Sequence, residues 1–381
     1  MRRWRTRGIL AALFCTLAAS SADHRTRGAS LDRSASAWSE AEPSTVCSDD
    51  ALVDAARAIL SSHFDAAIGA TAPASAEETG FQHLLSQLRG VLEQKTLDAM
   101  LAAQAIAHDD FDRAATQFRR VLSYQRPDGA LPLLIYGPST DATERWFSTD
   151  RTFFPGPAFW RAANASAVNV AVLAPPIAAD VAWRMYRLAP FENAMGLTVH
   201  TTDAVTFLCD VYGPLRRLHK HIVTSRRAQV SSASLLEAWH PWETLSSFST
   251  HWREPLSSLK LQKDYRAFVQ AIPASAKARF NRGAVMQNGA DSVEDFYEPM
   301  MFLAACLSKT NSSSSRSRVF DPLALSPQCG FAVHDVEFNT LVLRSAVALA
   351  EIARVLIERS SVCPVFDFTE DDLEGDRSPA D

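Results

Sequence analysis

The chain has 381 residues, 47% of them hydrophobic, and its 38 Lys and Arg against 43 Asp and Glu leave a formal net charge of −5. That length suffices for one large domain or two small ones with a substantial core. A mild negative charge with no long basic run argues against duplex nucleic acid or an anionic membrane surface as the main partner.

The first segment, MRRWRTRGILAALFCTLAASSADHR, carries Arg2, Arg3, Arg5 and Arg7, then an apolar run from Gly8 to Ala19, then small residues ending at Ala22. This is the three-part pattern of a secretory signal peptide over residues 1–22, with cleavage after Ala22. The apolar run falls short of the ~20 residues a helix needs to cross a bilayer, so a secreted chain without a membrane span is expected. Its Arg and Ser content, with no acid before Asp23, also fits a transit peptide, which leaves an organelle as the alternative destination. Loss of residues 1–22 would remove four arginines and no acid, making the remainder more acidic still.

Cys15 would leave with that segment, and Cys47, Cys209, Cys306, Cys329 and Cys363 would remain. An odd set leaves at least one thiol unpaired or paired between chains. None has metal-ligand spacing, and His219 and His221 in LHKH read as a solvated helix face, so neither a metal nor another cofactor is expected. Two N-x-S/T sequons, at Asn164 and Asn311, would be glycosylation acceptors along a secretory route.

Residues 23–48, rich in Ser, Arg and Ala, read as a disordered leader. A folded domain is expected over 49–362. It opens on DDALVDAARAILSSHFDAAI, where Leu52, Ala56, Ile59, Leu60 and His63 share a helical face behind Ser48 or Asp49 as N-cap. The same spacing returns at Phe111, Ala115, Phe118 and Leu122. It is clearest in DVEFNTLVLRSAVALAEIARVLIER, where Phe338, Leu341, Val342, Ser345, Leu349, Ile352 and Leu356 form one stripe. No series of alternating segments with hairpin turns accompanies them, so the chain reads as all-α.

Long connections rich in Pro, Gly and aromatics separate the helices: QRPDGALPLLIYGP, TFFPGPAFW, LAPPIAADVAW and HPWETLSSFSTHW. A short-looped bundle would not need them, and ordered loops on a rigid scaffold are where binding sites are built. The stretch NSSSSRSR, residues 311–318, reads as a surface insertion, and residues 363–381 as a disordered acidic tail. Six tryptophans, Trp146, Trp160, Trp183, Trp239, Trp242 and Trp252, lie in or beside the loops. Their flat rings suit either a sugar-stacking site or a helical core; Trp242, between His240-Pro241 and Glu243, reads as a site residue.

Taken together, these loops resemble the six-hairpin glycosidases related to mannosylglycerate hydrolase and processing α-glucosidase. The resemblance runs through QRPDGALP at Gln125 to Pro132, FPGPAFW at Phe154 to Trp160, APP at Ala174 to Pro176, HPWETLSSFST from His240, and DVEFN from Asp335. It implies an (α/α)6 toroid whose inner loops hold an α-glucoside or α-mannoside, with Asp98, Gln125, Trp160, His240, Trp242, Glu243 and Trp252 as substrate-binding candidates. Family hydrolysis inverts the anomeric centre, using an acid and a base ~6.5–9.5 Å apart.

On that pattern the family's acidic aspartate falls on Ser247 and its glycine on Leu245. The tryptophan before Asp98 becomes Leu97, and the glutamine of the Q-P-P motif becomes Ala174. A serine hydroxyl cannot serve as general acid for a glycosidic oxygen. Glu243, with Glu254 beyond it, is the nearest carboxylate that could substitute. Asp335 reads most simply as an N-cap and Asp128 as a turn residue. The family would continue past Asp381 with about two more hairpins carrying the base. The expectation is therefore an incomplete toroid of glycosidase ancestry whose own turnover is in question, with a non-catalytic carbohydrate- or protein-binding descendant as the alternative. Apolar faces left open by an incomplete ring would favour self-association.

Overall fold

The computed structural model describes residues 93–136, 154–160, 171–189, 202–227, 235–278, 293–313 and 329–359, with a few isolated positions outside these ranges. The segments 1–22 and 23–48, nearly all of the helix expected from residue 49, Trp146, Asn164 and the tail beyond Cys363 lie outside the described residues. The chain divides into residues 1–63 and 64–381, and all the elements below belong to the second unit.

A short antiparallel pair, β1 (Glu93–Lys95) and β2 (Leu134–Tyr136), sets Lys95 opposite Leu134 and feeds directly into α1 (Thr96–Ile106). Ala99, Met100, Ala103 and Ile106 recur at helical spacing on the buried face of α1. The next helix, α2 (Phe111–Leu122), starts where Asp110 accepts the Arg113 N–H at 3.0 Å, an N-cap that satisfies one orphan donor. Buried Gln117 donates to the Ala99 carbonyl at 2.8 Å and so ties α2 to α1.

Helices α3 (Ala178–Leu188) and α4 (Thr202–Ser225) follow. Phe207 of α4 meets Phe111 and Phe118 of α2 edge-on, with centroids 5.5 and 5.7 Å apart, a favoured aromatic geometry. Two short helices, α5 (Arg253–Leu259) and α6 (Tyr265–Ala271), lead through a π-helical turn at Val293–Tyr297 into α7 (Glu298–Ser313). Helix α7 thus runs through the first residues of the stretch read as an insertion, and the remainder of 311–318 lies outside the described residues.

The last helix, α8 (Val336–Glu358), packs against both α3 and α4. Every residue of its expected stripe is buried, and Ser345 within the stripe donates to the Pro176 carbonyl at 2.7 Å. Its N-cap is Asp335, which accepts the Phe338 N–H at 2.6 Å. A second face of α8 is apolar yet exposed: Val336 at 81%, Leu343 at 64%, Val347 at 55% and Ile357 at 62%.

Disulfides Cys209–Cys363 and Cys306–Cys329 pair four of the five cysteines the sequence left open, and Cys47 lies outside the described residues. The described chain is mostly helical and contains no helix long and apolar enough to cross a membrane.

Candidate functional site

The loop from Ala238 to Trp252 is anchored at its start by reciprocal backbone hydrogen bonds between Ala238 and Val333, at 2.8 and 3.1 Å. Pro241 then opens a single 3-10 turn, Pro241–Glu243, a position where its missing N–H costs nothing. His240 stands before the turn and is fully buried. Its Nδ1 accepts the Trp242 N–H at 3.0 Å while Nε2–H donates to the Met300 carbonyl at 3.0 Å. Burial pushes the imidazole down to about 3, against the opposing effect of the hydrogen bond to Met300, so it is neutral at ordinary pH.

Glu243 is wholly buried, and protein donors occupy both its oxygens. Oε1 takes the Arg226 guanidinium at 2.5 Å and the Leu173 N–H at 3.4 Å, and Oε2 takes the Trp239 N–H at 2.9 Å. Arg226 lies 3.6 Å over the Trp239 ring. This carboxylate therefore fastens three separate segments, and neither oxygen is turned toward open space.

Trp242 packs on Phe154 at 4.8 Å between centroids, and the Lys95 ammonium sits 4.9 Å from the centroid of the same Phe154 ring. Lys95 in turn stands 4.0 Å from Asp98. The structure thus brings Asp98, Lys95, Phe154, Trp242 and His240 into one continuous group contributed by three parts of the chain. Burial raises the Asp98 carboxyl, and Lys95 opposes that shift.

The other candidates are placed differently. Trp160 is buried and donates from Nε1 to the Tyr136 hydroxyl at 2.8 Å, which donates to the Pro155 carbonyl. Trp252 is fully buried between His251 and Phe331. Gln125 donates to the carbonyls of Gly129 and Pro214, both at 2.8 Å, and accepts from Arg217 at 3.2 Å. It clamps the turn at Gly129, whose φ of +89° is one that glycine adopts without strain. A Cβ there would lie 2.6 Å from the Arg217 carbonyl oxygen, so the turn and α4 are in backbone contact.

One expectation is overturned on the same helix. His221 is not on a solvated face: it is buried, with Nδ1 3.0 Å from the Asp128 carbonyl, and burial lowers it to about 4. Helix α4 turns that side onto the QRPDG turn, and no local pattern reports such a contact. Both His221 and His240 have folded-state values below the ordinary 6.5, so the unfolded chain binds the extra protons. Stability is expected to be full above pH ~6.5 and to fall as the pH drops from there toward about 4 and about 3. Each site contributes a slope of up to about 1.4 kcal/mol per pH unit. Urea midpoints over a series from neutral pH down to about pH 4 would check this, and His240→Gln should flatten the lower end.

Ser247 is half-buried, with Oγ 3.4 Å from the Thr244 carbonyl. Its neighbour Ser246 donates both N–H, at 3.1 Å, and Oγ–H to Glu337 from the first turn of α8. Glu254 is exposed at the start of α5. Sequence reasoning did not anticipate Lys95, Arg226 or Glu337, because each acts on a partner outside its own motif. Among the added residues, Phe154 and Glu337 stand inside quoted motifs, FPGPAFW and DVEFN, whereas Lys95 and Arg226 stand in none. Among the described residues no group of three His, Cys, Asp or Glu is placed to hold a metal ion.

Residues 92–362 match the family model of the mannosylglycerate hydrolase MGH1-like glycoside hydrolase domain. The chain belongs to this glycoside hydrolase family. A mannosylglycerate hydrolase from Rubrobacter radiotolerans is 25% identical over 274 residues, covering 70% of this chain and 53% of that protein. One from Thermus thermophilus is 24% identical over 263 residues, covering 68% and 54%. A family 63 mannosylglycerate hydrolase of Thermus thermophilus, solved with Tris, superposes with a TM-score of 0.54 at 21% identity, covering 80% of this chain and 59% of that one. The same enzyme solved with glucose gives 0.51, covering 80% and 60%. The solved structures share the helical toroid fold with this glycoside hydrolase family member, as the loop motifs implied. The chain spans about half the length of the curated relatives it matches.

Proposed function

We propose that this glycoside hydrolase family member binds an α-mannoside or α-glucoside beside Asp98, Lys95 and the Ser247 loop, and that its own hydrolytic turnover is weak or lost. One observation carries the reading: the loop's own carboxylate, Glu243, is locked between Arg226 and Trp239, while Ser247 stands where the motif resemblance sets the family's acid. A group so enclosed cannot reach a leaving oxygen, and inverting hydrolysis requires a proton donor that does. The relatives are named for mannosylglycerate, a glycoside that carries a carboxylate. Lys95, with 42% of its side chain exposed, is a cation suited to meet one.

Calorimetry against α-mannosyl- and α-glucosylglycerate, with parallel detection of free sugar, tests this. Heat of binding without product is expected, and Lys95→Ala should weaken binding at least fivefold. Sugar release at enzymatic rates would overturn the reading. Glu337 favours a second reading, a relocated catalytic carboxylate, because it reaches the loop through Ser246. If sugar is released, Glu337→Gln should abolish it on that reading and leave it unchanged otherwise.

Two further proposals concern the setting. The signal-like residues 1–22 and the two disulfides together support export to an oxidising compartment. The exposed face of α8 supports self-association, since Val336, Leu343, Ala350 and Ile357 recur every seven residues with Val347 between them, the spacing of a helix-pairing seam. Light scattering after size exclusion should show a dimer that Leu343→Glu with Val347→Glu returns to monomer; a wild-type monomer at high micromolar concentration would exclude it.

A further inference from the structure

Beyond Ser247 the same loop lines up two side chains, Ser249 and His251, in series with the α8 N-cap Asp335. Ser249 Oγ lies 2.8 Å from His251 Nδ1, and His251 Nε2 lies 3.1 Å from Asp335 Oδ2. Asp335 is buried and cannot swing away, because its other oxygen caps α8 by accepting the Phe338 N–H at 2.6 Å. A fixed carboxylate beside Nε2 selects the tautomer that carries its proton there, which leaves the Nδ1 lone pair facing the serine hydroxyl. The serine is not engaged as a cap, since its hydroxyl accepts no backbone N–H from the 3-10 turn that it precedes, Thr250–Trp252. The histidine side chain is 45% exposed, so the series opens to solvent at the hydroxyl end and is anchored in the core at the acid end.

We propose that Ser249 is a nucleophile for small carboxylic esters, with His251 as its general base and Asp335 as the group that orients the imidazole. Ser249 Oγ bonds to the ester carbonyl carbon while its proton passes to His251 Nδ1. The tetrahedral adduct then expels the alkoxide, which takes that proton and departs as the alcohol. A water molecule attacks the acyl-serine in the same way, giving its proton to Nδ1. Collapse releases the carboxylic acid and returns the proton to Ser249, so atoms and charge balance with no further reactant. The ring is used with the hydroxyl on Nδ1 and the acid on Nε2, and a proton gained at either nitrogen yields the same imidazolium. This activity is independent of the glycosidase reading, because it uses neither Ser247 nor Glu243.

The test is covalent labelling of the full chain with an alkyl fluorophosphonate, followed by peptide mass mapping. A single adduct on Ser249 is expected, formed by the folded protein and absent after heat denaturation. Ser249→Ala should abolish it. His251→Ala, at an exposed position, should slow it at least tenfold with the circular dichroism spectrum unchanged. Asp335→Asn keeps a capping side chain yet removes the acceptor for an ionic Nε2–H bond, and it should slow labelling to a similar extent. No adduct on Ser249 in folded protein, or equal rates in wild type and His251→Ala, would overturn the proposal.

Discussion

Glu243→Ala is expected to lower the folding stability by about 3–5 kcal/mol, the cost of breaking a buried ion pair by removing one partner. With typical domains stable by roughly 5–15 kcal/mol, that is a large share of the whole. The substitution leaves Arg226, only 3% exposed, with its charge inside the protein and its main acceptor gone. Arg226 Nε already has no hydrogen-bond partner in the structure, so little remains to compensate. The Trp239 and Leu173 N–H groups lose their acceptor as well. Glu243→Gln keeps the shape and part of the hydrogen bonding and should cost roughly 1–3 kcal/mol. Urea unfolding of the two variants would measure both values. A Glu243→Ala cost below about 1 kcal/mol would mean that water reaches Arg226 and that the carboxylate is not the tie described.

Removal of the Cys209–Cys363 bridge should have an effect of the same order. The two cysteines are 154 residues apart, and in the chain-entropy treatment closing so long a loop is worth about 5 kcal/mol. The bridge joins α4 to the chain just past the end of α8, so without it those two packed helices lose their covalent link. Cys306–Cys329 closes an interval of 23 residues and should contribute about 3 kcal/mol. Cys209→Ser is therefore expected to lower the melting temperature more than Cys306→Ser. Equal effects, or the reverse order, would show that local strain and not loop closure governs.

Helix faces were legible from sequence because periodicity reports burial directly: Phe111, Ala115, Phe118 and Leu122, and the whole stripe from Phe338 to Leu356, are inside. The family was legible from the order of loop motifs, since no single motif would have sufficed. What lay out of reach was contact between distant segments. Nothing near Arg226 or Glu243 announces that one neutralises the other. Gln125, placed in a motif turn, is saturated by Gly129, Pro214 and Arg217, a clamp visible only once α4 is set beside the turn. The tryptophans show the same gap: an aromatic in a Pro-rich loop reads alike whether it ends on the surface or, like Trp252, at full burial. His221 escapes a reading from sequence because a histidine between Lys220 and Ile222 carries no local sign of which side of its helix meets another segment.

The Cys306–Cys329 bond fences off the polypeptide between α7 and the approach to α8. Whatever happens inside that fence, whether a protease cut or the gain of extra residues over evolutionary time, the two ends stay fastened at one point. A nicked molecule would migrate as a single species until reductant is added, and new sequence could accumulate there without changing where the final helix docks.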